Sequence, residues 1–399
     1  MSELEAQSAQ QEKMEQIKNY LSQLLAQMKN LGASDLFITA GFPPAAKIDG
    51  KVVRLSEKKL EVAMVKAIVH ASMNDRQRRE FADKKECNFA IVDPISGRFR
   101  VNALTQKTYP AMVLRVITTK IPTFEELGLP DTLQKVSLSK RGLVLFVGAT
   151  GSGKSTSLAA MVGYRNRNTA GHIITIEDPV EFVHEHDQCI VTQREVGVDT
   201  DSWEIALENT LREAPDVILV GEIRSAETME HALKFAETGH LCMATLHANS
   251  ANQALDRILN FFPPTKRNQT LMDLSLNLRA LVSQRLVPKE NSSGRVAAIE
   301  ILLNSPYVSD LIFKGDVGGL KRAMQEAEHD GMKTFDDALF DLYEAGHIGH
   351  KEALKNADSE NEVRLKIKLK SERAKREETL PMDAFAGVAL SEGRGKKDE

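Results

Sequence analysis

The sequence has few cysteines, no long apolar run and no excess of charge of one sign. Its three cysteines, Cys87, Cys189 and Cys242, are scattered over 399 residues, which excludes a disulfide framework and a CxxC…CxxC zinc site and favours a reducing cytosol. The longest apolar run, residues 143–149 with its glycine included, is far shorter than the about 20 residues that span a bilayer. The acidic, Gln-rich amino terminus lacks the apolar stretch of a signal peptide. We therefore expect a cytoplasmic protein with no transmembrane segment.

The overall charge and the aromatic content argue against nucleic acid as a partner. Lys and Arg number 52 against 56 Asp and Glu, and aromatic residues make up 5% of the chain. A net charge of −4 gives no global positive field, and so few aromatic side chains do not suggest a surface that stacks bases. With 42% hydrophobic residues, the composition is typical of a globular protein with a sizeable core, and the length predicts two or three domains.

Hydrophobic spacing and turn residues organise the first third of the chain. Residues 1–14 are polar and predict a tail, and residues 15–118 predict a compact α+β domain with a long helix over 57–82. Ile121-Pro122-Thr123 and Gly128-Leu129-Pro130 contain rigid turn residues and show no periodic spacing of apolar residues. This pattern predicts a linker over 119–132.

The pattern of residues 133–365 predicts an α/β domain. Apolar runs of about five residues alternate with helical stretches, which is typical of a parallel sheet covered on both faces. Beyond residue 265 helical periods dominate, including one over 270–286, and predict a helical end-piece. Residues 366–399 are basic and poor in apolar side chains. We expect them to form a disordered tail, with contact to acidic lipid or to a partner as the alternative.

A glycine-rich segment carries the strongest local signal. Residues 148–155 read Gly-Ala-Thr-Gly-Ser-Gly-Lys-Ser, which fits GxxxxGK[ST], follows an apolar run and opens a helical stretch. Such glycines let backbone N–H groups turn toward phosphate oxygens at a helix amino terminus. We expect Lys154 to reach the β- and γ-phosphates and the Ser155 hydroxyl to bind Mg²⁺. The predicted nucleotide-binding residues are Gly148, Ala149, Thr150, Gly151, Ser152, Gly153, Lys154, Ser155 and Thr156.

Two acidic residues follow strands of the predicted parallel sheet. The apolar run 173–176 is followed by Glu177, and the run 217–220 is followed by Gly221 and Glu222. Ligands bind at the carboxyl ends of parallel strands, so we expect Glu177 to orient or deprotonate the attacking water and Glu222 to bind Mg²⁺ through water. Gly221 stands where many P-loop ATPases have Asp. For Glu177, an acid pair that sits at a strand end by chance is the alternative.

A third apolar run, residues 241–245, lies between two histidines. His247 follows the run at the ligand edge, where we expect it to donate a hydrogen bond to the γ-phosphate, and His240 precedes the run at the opposite end. For both, a buried core histidine with satisfied hydrogen bonds is the alternative. Guanine recognition normally uses an [NT]KxD segment, and residues 265–268, Thr-Lys-Arg-Asn, lack the Asp. The sequence therefore favours ATP.

Four ordered boxes resemble the secretion and type IV pilus ATPases. They are the phosphate loop 148–156, the acidic box Thr175-Ile-Glu-Asp-Pro-Val-Glu181, Gly221-Glu-Ile-Arg224 and the histidine box 238–247. Ala33-Ser-Asp-Leu-Phe-Ile-Thr-Ala-Gly41 and Arg98-Phe-Arg-Val-Asn102 resemble the retraction branch, PilT and PilU. The resemblance covers about residues 15–370.

Two departures narrow that resemblance. Three scattered cysteines do not provide the tetracysteine zinc element that extension and secretion ATPases often carry. The AIRNLIRE-like motif of PilT proteins is replaced here by Tyr-Val-Ser-Asp-Leu-Ile-Phe-Lys-Gly-Asp-Val over 307–317. Together with residues 356–366 and the basic tail, these features resemble PilU, and they leave open whether the protein retracts pili without a PilT-like partner.

The resemblance implies a fold, an assembly and a set of partners. The implied fold is a PAS-like α+β domain, then a RecA-like P-loop NTPase domain with a helical end-piece. The implied assembly is a homo-oligomer, a hexameric ring, in which nucleotide lies between domains and arginines matching Arg100 and Arg115 approach the phosphates. Solvated strand charges are the alternative for both arginines. The implied role is twitching motility at the pilus base of the inner membrane, with a PilT-like ATPase and a platform protein as partners.

The predicted function is hydrolysis of ATP with Mg²⁺, coupled to mechanical work through closing and opening of the two domains. Two other classes stay open. An accessory subunit would bind ATP with little hydrolysis of its own, but the intact Lys154, Glu177 and Glu222 argue against it. A DNA-translocating RecA-like motor is less favoured, because aromatic residues are few and the net charge is negative.

Overall fold

The computed structural model describes residues 3–48, 50–117, 120–291, 294–327 and 331–379. Its strands are β1 Asp35–Ile38, β2 Ala45–Ile48, β3 Lys51–Arg54, β4 Glu86–Asp93, β5 Gly97–Gln106, β6 Tyr109–Ile117, β7 Gly142–Val147, β8 Gly171–Glu177, β9 Cys189–Glu195, β10 Val217–Val220, β11 Leu241–Leu246, β12 Leu278–Pro288 and β13 Arg295–Leu303.

The α-helices are α1 Glu3–Asn30, α2 Val62–Ala71, α3 Asp75–Lys84, α4 Phe124–Leu127, α5 Asp131–Ser137, α6 Lys154–Asn168, α7 Trp203–Thr210, α8 Ala226–Glu237, α9 Ala251–Phe261, α10 Arg267–Asn277, α11 Pro306–Lys314, α12 Gly319–Glu326, α13 Phe335–Glu344, α14 His350–Lys355, α15 Glu360–Lys370 and α16 Glu372–Thr379. Within the described residues, no helix is both long enough and apolar enough to cross a membrane.

Strands β1 to β6 form an antiparallel sheet in the order β3-β2-β1-β6-β5-β4. Burial alternates along β5, where Phe99, Val101 and Ala103 are buried and Arg98 and Arg100 point to the other face. The buried face forms one hydrophobic core with apolar residues of α1, α2 and α3. This part of the chain thus combines an antiparallel sheet with three helices, and the expected domain over residues 15–118 stays a prediction.

Local boundaries in this region differ from the predicted ones. The predicted helix over 57–82 is two helices, because Asn74 ends the run and caps α3 in a capping box with Gln77. Helix α1 begins at Glu3, although residues 1–14 were expected to be a tail. Residues 3–14 contain no glycine or proline and are rich in Glu, Ala and Gln, which favour helix even without apolar spacing.

The chain divides into two compact units that interleave in sequence. The first comprises residues up to Glu126, Leu133–Leu143 and Ser155–Thr245, and the second comprises Leu127–Thr132, Val144–Lys154 and the residues from Leu246 onward. The domain boundaries expected from the sequence, with a linker over 119–132, stay predictions. Residues 118 and 119, where that linker would begin, lie outside the described residues.

Strands β7 to β13 belong to a second sheet. In the first unit, β11, β10, β8 and β9 pair in parallel in this order. Every residue of β10 and β11 is buried, as expected for strands covered on both faces. The expectation of a parallel sheet from alternating apolar runs is therefore confirmed for these strands.

The second unit contains an antiparallel pair of strands where a helix was expected. Strands β12 and β13 pair from Ala280↔Leu303 to Pro288↔Arg295, so the expected helix over 270–286 is wrong beyond Asn277. Leu278, Leu281 and Val282 fit a helical spacing. They lie instead on a strand whose first seven residues are all buried except Arg279, so the alternation that marks a half-buried strand is missing.

The carboxyl-terminal helices form a core that extends into the predicted tail. Helix α15 continues to Lys370 and α16 to Thr379, so the expectation of disorder from residue 366 is wrong for residues 366–379. Val363 and Ile367, four residues apart, are buried in a cluster with Phe335 and Tyr343. This pair holds the basic segment in a helix. Residues 380–399 of the predicted tail lie outside the described residues.

Candidate nucleotide site

The phosphate loop connects β7 to α6 through three glycines with positive φ. These angles are 154° at Gly148, 76° at Gly151 and 88° at Gly153. A Cβ atom at Gly148 would lie 2.6 Å from the Gln284 carbonyl oxygen, and one at Gly153 would lie 2.7 Å from Gln284 Nε2. Glycine is required at both positions because β12 lies directly behind the loop.

The loop's polar groups are arranged as an anion site requires. The Lys154 ammonium donates hydrogen bonds to the carbonyl oxygens of Gly148, at 2.8 Å, and Ala149, at 3.0 Å. Gln284 Nε2 donates to the Ser152 carbonyl oxygen at 2.9 Å, which fixes the loop against β12. The Ser152 hydroxyl is buried and has no hydrogen-bond partner among the described residues. A positive side chain, an unsatisfied hydroxyl and a glycine cradle at a helix start fit a phosphate group.

A large cavity opens beside the loop within the second unit. Its volume is about 500 Å³, which lies in the range of small-molecule and cofactor sites. Besides loop residues 148–152, its walls are formed by Asn249, Gln284, Arg285, Leu286, Arg295 and Asn356. The loop thus forms part of the wall of a space large enough for a nucleotide.

In the first unit, the strand ends bring the predicted acidic residues to one edge. Val220 of β10 pairs with Ile176 of β8 and with Ala244 of β11. The residues that follow these three, Glu177, Gly221 and Thr245, therefore lie side by side at the carboxyl ends. The placement of Glu177 at this edge agrees with the expectation from the sequence.

Glu177 is held by hydrogen bonds and is partly desolvated. The Thr175 hydroxyl donates to Glu177 Oε1 at 2.7 Å, and Gln193 Nε2 donates to the same oxygen at 3.3 Å. Burial raises the pKa of the Glu177 carboxyl to about 7, against the smaller opposite effect of these hydrogen bonds. A carboxylate with a pKa near the working pH suits a general base.

A small cavity lies against Glu177. It has a volume of about 30 Å³ and its walls include Ser155, Thr175, His184 and Thr245. This volume exceeds the roughly 10 to 15 Å³ that a single water needs. Burial, with a contribution from Arg167, lowers the pKa of His184 to about 4, so this imidazole is neutral at pH 7. The cavity therefore has polar walls next to a carboxyl group.

The atoms around Gly221 explain why this position lacks the Asp that many P-loop ATPases have. A Cβ atom there would lie 3.1 Å from the Ile176 carbonyl oxygen and 3.2 Å from Glu177 Cα, so strand β8 leaves no room for a side chain. The next residue, Glu222, accepts hydrogen bonds on Oε2 from Arg224 Nε at 2.7 Å and Nη2 at 2.6 Å. Arg224 also lies 3.5 Å from Asp178, and so links the two acidic segments.

The arginines expected to approach phosphate lie on neighbouring strands. Arg100 of β5 and Arg115 of β6 are directly opposite each other. Arg115 Nε lies 2.8 Å from Oδ1 of Asp35, a buried residue on the adjacent strand β1. Burial raises the pKa of Glu195, and Arg98 and Arg100 act in the opposite direction on it. Neither arginine is therefore a purely solvated charge, and their catalytic role stays a prediction.

The two histidines differ in their surroundings. His240 Nδ1 lies 3.1 Å from the Thr238 hydroxyl and 3.2 Å from the Phe235 carbonyl oxygen. These contacts engage Nδ1 as the structural alternative expects, but His240 is of intermediate exposure and is not a buried core histidine. His247 directly follows β11 and is of intermediate exposure. Its expected hydrogen bond to phosphate stays a prediction.

Several supporting residues were missed by the sequence analysis. Thr175 precedes Glu177 by two residues on the same strand, and its side chain lies on the same face, so period-two spacing carried a usable signal. Gln284 lies in a segment that was expected to be helical, and His184 and Gln193 lie in segments with no motif. No local signal marked these three. Among the described residues there is no group of three or more His, Cys, Asp or Glu that could hold a metal ion, and Ser155 with Glu222 does not form such a group.

The family model for "Type II/IV secretion system protein" matches residues 10–335. The chain belongs to this family. Two curated relatives come from Pseudomonas aeruginosa. The type IV pilus ATPase PilU is 59% identical over 349 residues, which are 88% of this chain and 91% of PilU. The type IV pilus retraction ATPase PilT is 44% identical over 337 residues, which are 84% of this chain and 98% of PilT.

A solved structure supports the same assignment. The crystal structure of the pilus retraction motor PilT with bound ADP matches with a TM-score of 0.81 and 38% identity, over 86% of this chain and 98% of that one. The expected fold, an amino-terminal domain followed by a P-loop ATPase domain, and the expected kinship with PilT and PilU are confirmed. The chain is an ATPase of the pilus motor group, and membership in this family implies that it binds nucleotide.

Proposed function

We propose that the chain hydrolyses ATP with Mg²⁺ to power type IV pilus retraction, as a PilU-like hexamer that works with a PilT-like ATPase. The observation that carries this proposal is the phosphate cradle, in which Lys154 donates to the Gly148 carbonyl oxygen and loop residues 148–152 line a cavity of about 500 Å³. The names of the relatives support the biological role, since PilU is a type IV pilus ATPase and PilT a retraction ATPase. The PilT structure with bound ADP supports ATP as the nucleotide.

The loop is the proposed phosphate-binding element. Its backbone N–H groups and the Lys154 ammonium hold the β- and γ-phosphates. Lys154 now bonds to the carbonyl oxygens of Gly148 and Ala149, and phosphate oxygens would replace these two acceptors. The exchange is favourable, because a phosphate oxygen carries more negative charge than a carbonyl oxygen.

Ser155 and Glu222 are the proposed residues on the metal side. Mg²⁺ usually takes few protein ligands in such sites and keeps several waters, so one hydroxyl and one carboxylate acting through water are sufficient. When bound, the ion neutralises charge that develops on the phosphate oxygens. Ser155 follows Lys154 directly in sequence and lines the cavity at Glu177.

Glu177 is the proposed base. Its carboxylate accepts a proton from the attacking water, or orients that water by a hydrogen bond, and Thr175 and Gln193 hold the carboxylate for this step. The small cavity beside it has room for a water molecule. His247 is the proposed donor to the γ-phosphate.

Arg100 and Arg115 are the proposed contribution of the amino-terminal domain. In a hexameric ring they would stabilise charge on the transferring phosphoryl group when the domains close. Release would reopen the domains through the linker over 119–132, and repeated closure would work on a platform protein at the inner membrane.

We place the motor in the cytoplasm at the pilus base, without nucleic acid as a partner. An ATP-binding accessory subunit with little hydrolysis is the second candidate, because the resemblance to PilU leaves autonomy open.

Complementation tests this function. The host's own copy is deleted, its PilT-like ATPase is retained, and the wild type, Lys154→Ala or the control Lys140→Ala, an exposed lysine, is expressed. We expect the wild type and Lys140→Ala to restore twitching zones and retraction against load in optical tweezers, and Lys154→Ala to fail. Restoration by Lys154→Ala would contradict the proposed role. Light scattering is expected to give about 265 kDa, the mass of a six-membered ring.

A further inference from the structure

The cavity beside the phosphate loop is also lined by residues that the sequence did not mark as binding residues. With phosphate held by the loop, the remainder of a bound nucleotide extends toward these other walls. Two of those walls carry asparagines from distant parts of the chain, Asn249 after β11 and Asn356 after α14. Amide side chains at such positions can distinguish bases by their hydrogen-bonding edges.

A single guanidinium group holds both asparagines in place. Arg285 of β12 donates from Nη1 to the Asn356 carbonyl oxygen at 2.8 Å and from Nη2 to the Asn249 carbonyl oxygen at 3.1 Å. Nη2 also pairs with Asp358 at 2.7 Å, and the guanidinium carbon lies 3.9 Å from the centroid of the Phe335 ring. Three hydrogen bonds and the contact with the Phe335 ring fix the Arg285 guanidinium. The backbone segments at Asn249 and Asn356 that it bonds therefore have defined positions.

The segment around Asn356 is anchored a second time. The buried Asp336 accepts hydrogen bonds on Oδ1 from the backbone N–H groups of Asp358, at 2.8 Å, and Ser359, at 3.3 Å. Lys321 pairs with the other oxygen of Asp336 at 3.0 Å. The wall that carries Asn356 is therefore built onto the carboxyl-terminal helices and does not depend on a free loop.

The side-chain amide of Asn356 has a fixed orientation. Its Nδ2 donates to the Glu352 carbonyl oxygen at 2.8 Å and to Glu352 Oε2 at 3.3 Å, and its backbone N–H donates to the same carbonyl oxygen at 3.2 Å. Its own carbonyl oxygen accepts from Arg285. Oδ1 accepts no hydrogen bond from the described residues, so the uncommitted side-chain atom of this cavity-lining asparagine is an acceptor and not a donor.

We propose that Asn356 selects adenine over guanine in this cavity by accepting a hydrogen bond on Oδ1 from the exocyclic amino group of adenine. Adenine presents a donor, N6–H₂, at the position where guanine presents an acceptor, O6. In a complex with guanine, two acceptors, O6 and Asn356 Oδ1, would therefore face each other. The hydrogen bonds from Nδ2 to Glu352 prevent the Asn356 amide from rotating to present a donor instead. Arg285 is the positioning residue. The inference rests on the proposed function, since it takes the nucleotide to bind with its phosphates at the loop.

The test compares three ligands on the full-length protein. Isothermal titration calorimetry with Mg²⁺ measures binding of a non-hydrolysable ATP analogue, the matching GTP analogue and inorganic tripolyphosphate. The variants are Asn356→Ala and the control Asn361→Ala, an exposed asparagine on α15 that does not line the cavity. For Asn356→Ala we expect the ATP-to-GTP affinity ratio to fall about five- to tenfold, as loss of one hydrogen bond predicts. For Asn361→Ala we expect the ratio to stay within about twofold of the wild type.

Tripolyphosphate separates the possible failures. It contacts only the phosphate loop, so unchanged tripolyphosphate affinity in Asn356→Ala shows that the variant is folded and that any change concerns the base. An unchanged ATP-to-GTP ratio in Asn356→Ala, or a fall as large in Asn361→Ala, would overturn the proposal. If the wild type binds neither the ATP analogue nor tripolyphosphate, the proposed function itself fails, and the inference fails with it.

Discussion

The raised pKa of Glu177 predicts how a single substitution changes stability with pH. Burial raises the carboxyl pKa from 4.5 to about 7, so between these values the folded protein binds a proton that the unfolded chain has released. The stability that this proton provides is fully present below pH 4.5 and is lost as the pH rises through 7. Glu177→Gln keeps an oxygen that accepts from the Thr175 hydroxyl but has no charge to desolvate. The variant is therefore expected to be more stable than the wild type at high pH.

The magnitude follows from the two pKa values. A carboxyl with a pKa of 4.5 unfolded and about 7 folded costs roughly 1 kcal/mol at pH 5 and roughly 3 kcal/mol at pH 8. The advantage of Glu177→Gln in free energy of unfolding should therefore grow by roughly 2 to 3 kcal/mol between these pH values. An exposed control, Asp83→Asn in α3, lacks the burial that causes this growth.

Urea unfolding measures this difference. Wild type, Glu177→Gln and Asp83→Asn are unfolded at pH 5 and pH 8, without nucleotide and with EDTA, and followed by circular dichroism. An advantage of Glu177→Gln that is the same at both pH values would refute the reasoning, because it would mean that the wild-type carboxyl is already ionised at pH 5. The measurement is made without ligands, so it tests the desolvation of Glu177 independently of catalysis.

Three further substitutions test other parts of the structure. Gly221→Ala brings a methyl group within 3.1 Å of the Ile176 carbonyl oxygen and is expected to lower the melting temperature by an amount equivalent to about 1 to 3 kcal/mol; an unchanged melting temperature would contradict the close approach. Ile367→Ala in α15 should cost about 2 to 4 kcal/mol in urea unfolding, whereas Leu369→Ala, which is 63% exposed, should cost little, and equal costs would contradict the packing of this helix. Arg100→Ala should depress steady-state ATP turnover more than nucleotide affinity, and an unchanged turnover would remove Arg100 from the site.

The parallel strands were predictable from the sequence because they are buried on both faces. Continuous apolar runs place β10 at the observed residues and β7, β8 and β11 within a few residues of the observed ends. The same runs gave the positions of Glu177, the last residue of β8, and of Glu222, two residues after the end of β10. Strand β12 was not predictable in this way, because its apolar residues also fit a helical spacing and only its pairing with β13 separates the two possibilities.

The residues that support the site depend on contacts between distant segments. Arg285 bonds to residues 36 and 71 positions away, and Gln284 bonds to Ser152, 132 positions away. No local motif contains hydrogen-bonded pairs that are so far apart in sequence. Local motifs therefore indicate the phosphate loop and the acidic residues but not the residues that hold them. The helix over the basic segment was missed because two buried residues, Val363 and Ile367, outweigh a majority of charged neighbours.

The central claim, that the chain hydrolyses ATP through its phosphate loop, is tested most directly by steady-state hydrolysis of Mg-ATP by the purified protein. Lys154→Ala is the control for contaminating activity, because Lys154 is the loop's positive charge. We expect hydrolysis by the wild type that Lys154→Ala abolishes. Hydrolysis that persists in Lys154→Ala, or none in either protein, would contradict an autonomous ATPase motor, and the latter result would favour the accessory subunit that needs its partner.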